Sequence, residues 1–457
     1  MARGKKTEKA LTPEEQLAQA LVPVEKQPYP VPENWCWLYG ESLFLPMEAK
    51  KPTGETFRYI DIDSIDNKLQ VVSTPKVLPV DKAPSRASRA LHTGDTVFSM
   101  VRPYLKNIAY IDESLSDAIA STGFYVCQPR SNINHRFVYY LMISSYVVDG
   151  LNSFMKGDNS PSIRKDDLQR FVYPVPPYSE QQRIVDRIEH LFAKLDEAKE
   201  KAQAVVDSFE TRKAAILHRA FNGELTEQWR QTHNISLQSW KHRKFSEICN
   251  VVRGGSPRPA GDPQYYGGPI PFMKVADITN NDSPFVNSTQ YTIKEAGLKK
   301  TRLIGPNTLL LTNSGATLGV PAICTFETTF NDGIAAFLDL DADHLMFYYY
   351  FLTSKTSELR GINKGAAQPN LNTDIIGSIE IDIPSSSEQD EIVQLLEDIL
   401  TKEQQAKETA KAAIEQIDTM KKSILARAFR GELGPNDPAE ESAVEILKRL
   451  CSVTKTL

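Results

Sequence analysis

The chain has no apolar run near the roughly 20 residues that a membrane span needs, although 41% of its 457 residues are hydrophobic. That balance reads as a soluble globular protein, and 457 residues exceed one ordinary core, so two or more domains are expected. The first residues, "MARGKKTEKALTPEEQ", lack the apolar segment of a secretory signal. Cysteine is scarce: Cys36, Cys127, Cys249, Cys324 and Cys451 are scattered and form no C-x-x-C pair. Such usage points to reduced thiols in the cytoplasm and away from a structural zinc site. Surplus positive charge is missing too, with 53 Lys and Arg against 58 Asp and Glu. Any nucleic-acid contact must therefore come from a local basic face.

Catalytic signatures are also absent. There is no G-x-x-x-x-G-K-[ST] phosphate loop, no H-E-x-x-H helix and no G-x-S-x-G elbow. "VPPY" at 175–178 imitates the segment with which amino-methyltransferases hold a flipped base, but Val175 offers no acceptor where that chemistry needs Asn or Asp. A strand-to-helix turn is the reading that remains. The residues thus predict no catalytic site and no bound metal or cofactor.

What is present is a long internal repeat. "RAFNGEL" (219–225) returns as "RAFRGEL" (427–433), and at that interval of 208 residues 156–225 align with 364–433 without a gap, 27 of 70 positions being identical. Such a period duplicates a whole domain with its appendage. Upstream the likeness is fainter: "YIDIDSID" (59–66) answers "FMKVADIT" (272–279), "GDTVFS" (94–99) answers "PNTLLL" (306–311), and "RFVYYL" (136–141) answers "MFYYYF" (346–351). Each half reads as a variable globular part followed by a well-matched helical part. Short β-prone runs with one or two helices make the globular parts α+β.

The expected order is an extension with a short helix (1–30), a globular part (31–175), a helical spacer (176–235), a second globular part (236–383), a second spacer (384–434) and a tail helix (435–457). Thr12, Pro13 and Glu15 fit the N-cap, N1 and N3 of the first short helix. Ser179 with Gln182 forms a capping-box signature, and Ser387 is its counterpart. From there apolar residues recur every three or four positions: Ile184, Ile188, Leu191, Leu195, Ala198 and Ala202 in one copy, Ile392, Leu396, Ile399, Ala406, Ala410 and Ile417 in the other. A 3.5-residue period over about 40 residues predicts a coiled-coil helix about 60 Å long. Gly223 and Gly431 stand where a helix takes a left-handed C′ residue. The two helices either pair with each other, antiparallel and related by an approximate two-fold axis, or each packs on its own globular part.

Local charge collects in the variable parts. Lys82, Arg86, Arg89, Arg102, Tyr104 and Lys106 cluster in the first, and Arg253, Arg258, Lys299, Lys300, Arg302, Asn313 and Ser314 in the second, with Lys364, Gln368 and Asn370 downstream. Lys and Arg with hydroxyls suit phosphate contacts, and Arg, Asn and Gln suit base edges. The competing reading makes these loops merely solvated.

Taken together, the doubled "S-E-Q" helix start, the long helix, the "RAF-x-GEL" stop, and "PSRA" (84–87), "GDTVFSMVRPYL" (94–105) and "KGAAQPNLN" (364–372) resemble the specificity subunit of Type I restriction-modification systems. The likeness runs from about Trp35 to Leu433. It implies two target recognition domains, each reading half of a bipartite DNA site, and two long helices that pair antiparallel and fix the spacing. It also implies docking of two methyltransferase subunits, which use AdoMet, and recruitment of ATP- and Mg-dependent restriction subunits. The subunit itself would be non-catalytic and bind no cofactor. Because the globular parts differ while the helices match, the half-sites should differ in sequence. A free-standing DNA-binding regulator, which would bind DNA tightly without partners, a stand-alone methyltransferase, which would bind AdoMet alone, and a coiled-coil adaptor are the rivals.

Overall fold

A computed structural model describes residues 12–362, 370–434 and 436–453. Contacts divide the chain into two units, one made of 1–202 with 412–457, the other of 203–411. The division falls inside both long helices.

In the first unit a four-stranded sheet runs in the order Lys76–Pro79, Thr56–Ile60, Ile119–Ser121, Ala87–Ala90, and a three-stranded sheet in the order Phe124–Cys127, Thr96–Ser99, Ile108–Tyr110. Thr56–Ile60 and Ile119–Ser121 pair in parallel, which requires a long crossover. Cys36–Tyr39 pairs antiparallel with Val172–Val175 and so ties the start of the globular part to its end. The helix His135–Ile143 is buried nearly all round and sits in the core. That burial explains why "RFVYYL" shows no amphipathic stripe.

The second unit repeats this plan. Its strands Tyr291–Ile293, Tyr266–Met273, Thr328–Phe330 and Arg302–Ile304 follow the order of the first four-stranded sheet, again with a parallel central pair. Ile334–Leu338, Thr308–Thr312 and Pro321–Cys324 follow the order of the three-stranded one, extended by Asn250–Arg253 and Phe285–Val286. Lys241–Lys244 pairs with Glu380–Ile383 at the closing position. Each of the three aligned sequence pairs falls on a matching element, so the faint upstream likeness is a true structural repeat.

The turn "VPPY" does lead from strand Val172–Val175 into a helix. That helix, however, begins at Tyr178, before the start at Glu180 that a Ser179 N-cap would set, because Gln181 N–H already donates to Pro177 O at 3.0 Å. Ser179 Oγ, freed from capping, donates to Glu440 at 3.0 Å. In the second copy the helix spans Ser386–Ala428, and Ser385 O, not Ser387, accepts its first bonds. The second helix is unbroken over 43 residues. The first is interrupted at Ser208 into Tyr178–Asp207 and Phe209–Phe221. There Ser208 Oγ donates to Ala204 O at 2.5 Å beside its own N–H at 3.1 Å, and Arg212 Nη1 and Nη2 reach Val205 O at 3.3 Å, side-chain bonds that compete with the regular ladder.

Both packing alternatives operate, in different stretches. Ile184 and Ile188 in the first unit, and Ile392 and Leu396 in the second, are buried in the cores of the globular parts. Farther along, helix meets helix: in the first unit Lys199 pairs with Asp418 at 2.7 Å and Lys421 with Asp196 at 2.5 Å. In the second unit Arg212 pairs with Glu403 at 2.7 Å and Lys407 with Glu210 at 3.8 Å. Rising numbers on one helix meet falling numbers on the other, so the paired stretches are antiparallel within each unit. Ala410 and Ile417 are buried and Leu191, Leu195, Ala202 and Ile399 half-buried, but Ala198 and Ala406 are exposed and lie off the seam. A straight helix drifts about 20° per heptad from a strict 3.5 period, which turns these two alanines outward.

The stop motifs dock in a way the repeat alone does not reveal. In the first unit, Phe429 of "RAFRGEL" packs edge-on against Phe137 at 5.4 Å. In the second, Phe221 of "RAFNGEL" meets Phe347 at 5.5 Å and Phe351 at 5.4 Å. Each stop therefore lies on the globular part of the other repeat. Beside each, a fully buried glutamate from the helix start anchors a tryptophan: Trp35 Nε1 donates to Glu180 and Trp240 Nε1 to Glu388, both at 2.9 Å. Glu388 also pairs with buried Arg230 at 2.7 Å, while Glu180 receives Asn436 Nδ2 as a further hydrogen-bond donor. The capping box of Thr12 and Glu15 is formed, and the helix it opens, Pro13–Ala20, packs against the tail helix Ala443–Val453. The two extensions thus meet each other.

Candidate nucleic-acid interface

In each unit one tight turn gathers the predicted basic loops. In the first it is Ser121–Gly123. Thr122 N–H donates to Arg86 O at 2.8 Å, Met100 N–H to Gly123 O at 2.9 Å, and Arg102 N–H to Pro161 O at 2.8 Å. Val101 forms a bridge with Ser162. Arg86, Arg102 and the segment 159–162 therefore share one rim. Arg102 is exposed, holds a left-handed φ of 47° and donates through Nη2 to Asn159 O at 2.8 Å. Arg89 is half-buried on the adjoining strand, opposite Ala120. Its Nε is buried without a partner among the described residues.

Tyr104 stands 46% exposed in the one-turn helix after Arg102, which leaves its ring available for stacking. Lys106 departs from the expectation of a free surface cation: it is half-buried, and burial, then Lys422, push its ammonium below the usual lysine range against the pull of Asp149. Lys82 is exposed, and no hydrogen bond joins it to the rim among the described residues.

In the second unit the turn is Asn331–Gly333. Gly255 N–H donates to Phe330 O and Gly254 N–H to Ile334 O, both at 3.1 Å, and Asn313 N–H to Gly333 O at 2.9 Å. Ser314 bridges to Asn370. A Cβ on Gly255 would stand 2.3 Å from Lys300 O, so only glycine lets the lysine-bearing loop come this close. Lys299 and Lys300 themselves are exposed.

Two predicted arginines are partly spent on the backbone: Arg253 Nε donates to Asp332 O at 2.6 Å and Arg302 Nε to Arg253 O at 2.9 Å. Arg258 is well exposed and lies 3.6 Å from Asp332 Oδ2. Asn313 is buried at 1% exposure, and neither Oδ1 nor Nδ2 finds a partner among the described residues. Lys364 and Gln368 lie outside the described residues.

Sequence reading missed Thr122, Asn159 and Asp332. The tripeptide "NDG" at 331–333 is a turn signal that could have located Asp332, whereas nothing local marks Asn159. Among the described residues no His, Cys, Asp or Glu group could hold a metal, and no helix is long and apolar enough to cross a membrane.

A duplicated α+β unit whose basic side chains collect around one turn has the make-up of a nucleic-acid-binding protein. The family described as "Type I restriction modification DNA specificity domain" matches residues 53–206 and 238–416, well over half of the chain, and the chain belongs to it. It is accordingly the non-catalytic subunit that supplies DNA recognition in a Type I restriction-modification system.

The chain is 23% identical over 326 residues to the Type I restriction enzyme EcoKI specificity subunit of Escherichia coli, covering 67% of this chain and 68% of that one. It is similar to the crystal structure of the HsdS subunit from Thermoanaerobacter tengcongensis, with 26% identity, a TM-score of 0.65, and coverage of 90% and 100%. A chain from a structural study of complex assembly and conformational transition in the type I R-M system matches with 25% identity, a TM-score of 0.71, and coverage of 89% and 100%.

Proposed function

We propose that the two globular parts, 31–175 and 236–383, are target recognition domains that read the two unlike halves of an asymmetric bipartite DNA site. The gathering of the basic loops around one turn in each unit carries this reading. In the first reader Lys82, Arg86, Arg89, Arg102, Tyr104 and Lys106 would face the duplex. In the second, Arg253, Arg258, Lys299, Lys300, Arg302, Ser314 and Asn370 would, with Lys364 and Gln368, while the buried Asn313 would hold the turn that carries them. The helical segments 176–235 and 384–434 act as an antiparallel spacer that fixes the number of unread base pairs, as symmetry fixes half-site spacing in dimeric DNA-binding proteins. They also form the dock for two methyltransferase subunits that bring AdoMet, and restriction subunits using ATP and Mg join that assembly in the cytoplasm.

Mapping N6-methyladenine across a host genome, with and without this chain beside its methyltransferase subunit, tests the reading. One bipartite, asymmetric motif should disappear with the chain. Unchanged methylation overturns the proposal, and loss of a continuous or palindromic motif overturns the claim of two unlike readers.

A further inference from the structure

The two rims correspond position by position through their backbone bonds. Met100 N–H donates to Gly123 O as Asn313 N–H donates to Gly333 O, and Ile163 N–H donates to Met100 O as Leu371 N–H donates to Asn313 O. Val101 bridges to Ser162 as Ser314 bridges to Asn370. These equivalences set Thr122 against Asp332 and Ser121 against Asn331. At corresponding positions the first rim carries Met100, Val101, Ser121, Thr122 and Ser162 and the second Asn313, Ser314, Asn331, Asp332 and Asn370, with Ser121 and Asn313 buried beneath the others. On one scaffold, four apolar or hydroxyl side chains have been exchanged for three carboxamides and one carboxylate, and Val101 for a serine.

The carboxylate is the informative member. On a surface that meets DNA a negative charge opposes the phosphates, so it must be met by donors, either neighbouring side chains or the donor edge of a base. In the major groove the N4 amine of cytosine is the donor that Asp and Glu fit. Asp332 is placed for that role. Its carbonyl is held by Arg253 Nε at 2.6 Å, and its Oδ1 accepts from Ser256 Oγ at 2.6 Å. Oδ2 lies 3.6 Å from Arg258 Nη2, and the side chain is 42% exposed. Two carboxylate oxygens offer about four lone-pair sites, so capacity for a base remains after these contacts.

We infer that Asp332 is a specificity-determining residue of the second reader, its carboxylate accepting the exocyclic amine of one cytosine in the second half-site. The inference rests on the reading of this rim as a DNA surface.

The test uses the complete complex with its methyltransferase subunits, acting on duplexes randomised across the second half-site. Asp332→Asn keeps the size and the acceptor for Ser256, and Asp332→Ala removes both. Both variants should lower the preference for cytosine at one position by at least about tenfold and leave the first half-site unchanged. Lys299→Ala with Lys300→Ala serves as the comparison, expected to weaken binding at all sequences and to flatten its salt dependence while keeping base preference. If Asp332→Asn alters no position, or alters one that favours another base, the assignment to Asp332 falls while a weakened lysine variant keeps the DNA surface standing. If the lysine variant binds DNA with unchanged affinity and salt slope, the reading of the rim falls as well.

Discussion

Two buried glutamates occupy matching places and have unlike partners, and their substitution should differ accordingly. Removing Arg230 strands the charge of Glu388, which is fully buried. Arg230→Ala should cost the second unit about 3–5 kcal/mol, measured by urea denaturation. Among the described residues Glu180 has no buried cation, and burial raises its carboxyl above the usual range despite bonds from Trp35 and Asn436 and the charge of Arg183. An acid whose folded pKa is raised destabilises the fold above that pKa, and the penalty vanishes as pH falls to its unfolded value near 4.5. Glu180→Gln should therefore gain stability over the natural chain at neutral pH, and the gap should close on acidification. A gap independent of pH would show that the charge is not what costs stability. Gly431 has a φ of +75°, and a Cβ there would stand 2.4 Å from Pro32 Cγ. Gly431→Ala should destabilise the first unit by about 1–3 kcal/mol on thermal melting.

At the scale of elements, the "RAF-x-GEL" stops are docking plugs as well as caps. Phe429 is 1% exposed, so Phe429→Ala should cost about 3–5 kcal/mol and loosen the His135–Ile143 helix, read as lost amide protection there. The ion pairs along the helices are exposed enough that Lys199→Ala should change stability by less than about 1 kcal/mol in the same assay. The long helices and their stops were legible in the sequence because period and capping are local, but their starts fall before Ser179 and Ser387, the caps expected from the motif. The duplication was legible because it repeats identical residues. The partner of each stop was not, since a seven-residue motif does not say which aromatic surface it meets. The drift of Ala198 and Ala406 off the seam was equally hidden, because a strict heptad count assumes supercoiling and a straight helix loses that register as it lengthens. For the rim, charge in "PSRA" and "VVRGGSPRP" was visible, but the turns that gather these loops depend on strand order. Lys106 shows the limit of counting cations, since only packing reveals that it is half-buried beside Lys422.

Across the whole molecule, the first unit is discontinuous: residues 1–202 are completed by 412–457. A chain ending at Lys411 should keep amide protection in the second unit while losing it around Phe137, Ile184 and Trp35, which hydrogen exchange followed by mass spectrometry would resolve. Equal loss in both units would contradict the division.

That discontinuity has a consequence for biosynthesis. A ribosome delivers the second unit, 203–411, as an uninterrupted stretch, whereas the socket around Phe137 has been translated long before Phe429 exists to fill it. At 5–20 residues per second the wait lasts on the order of 15–60 s. During that interval the nascent amino-terminal reader exposes an aromatic surface that a holding chaperone would shield, so the part of the protein made first is the last to be finished.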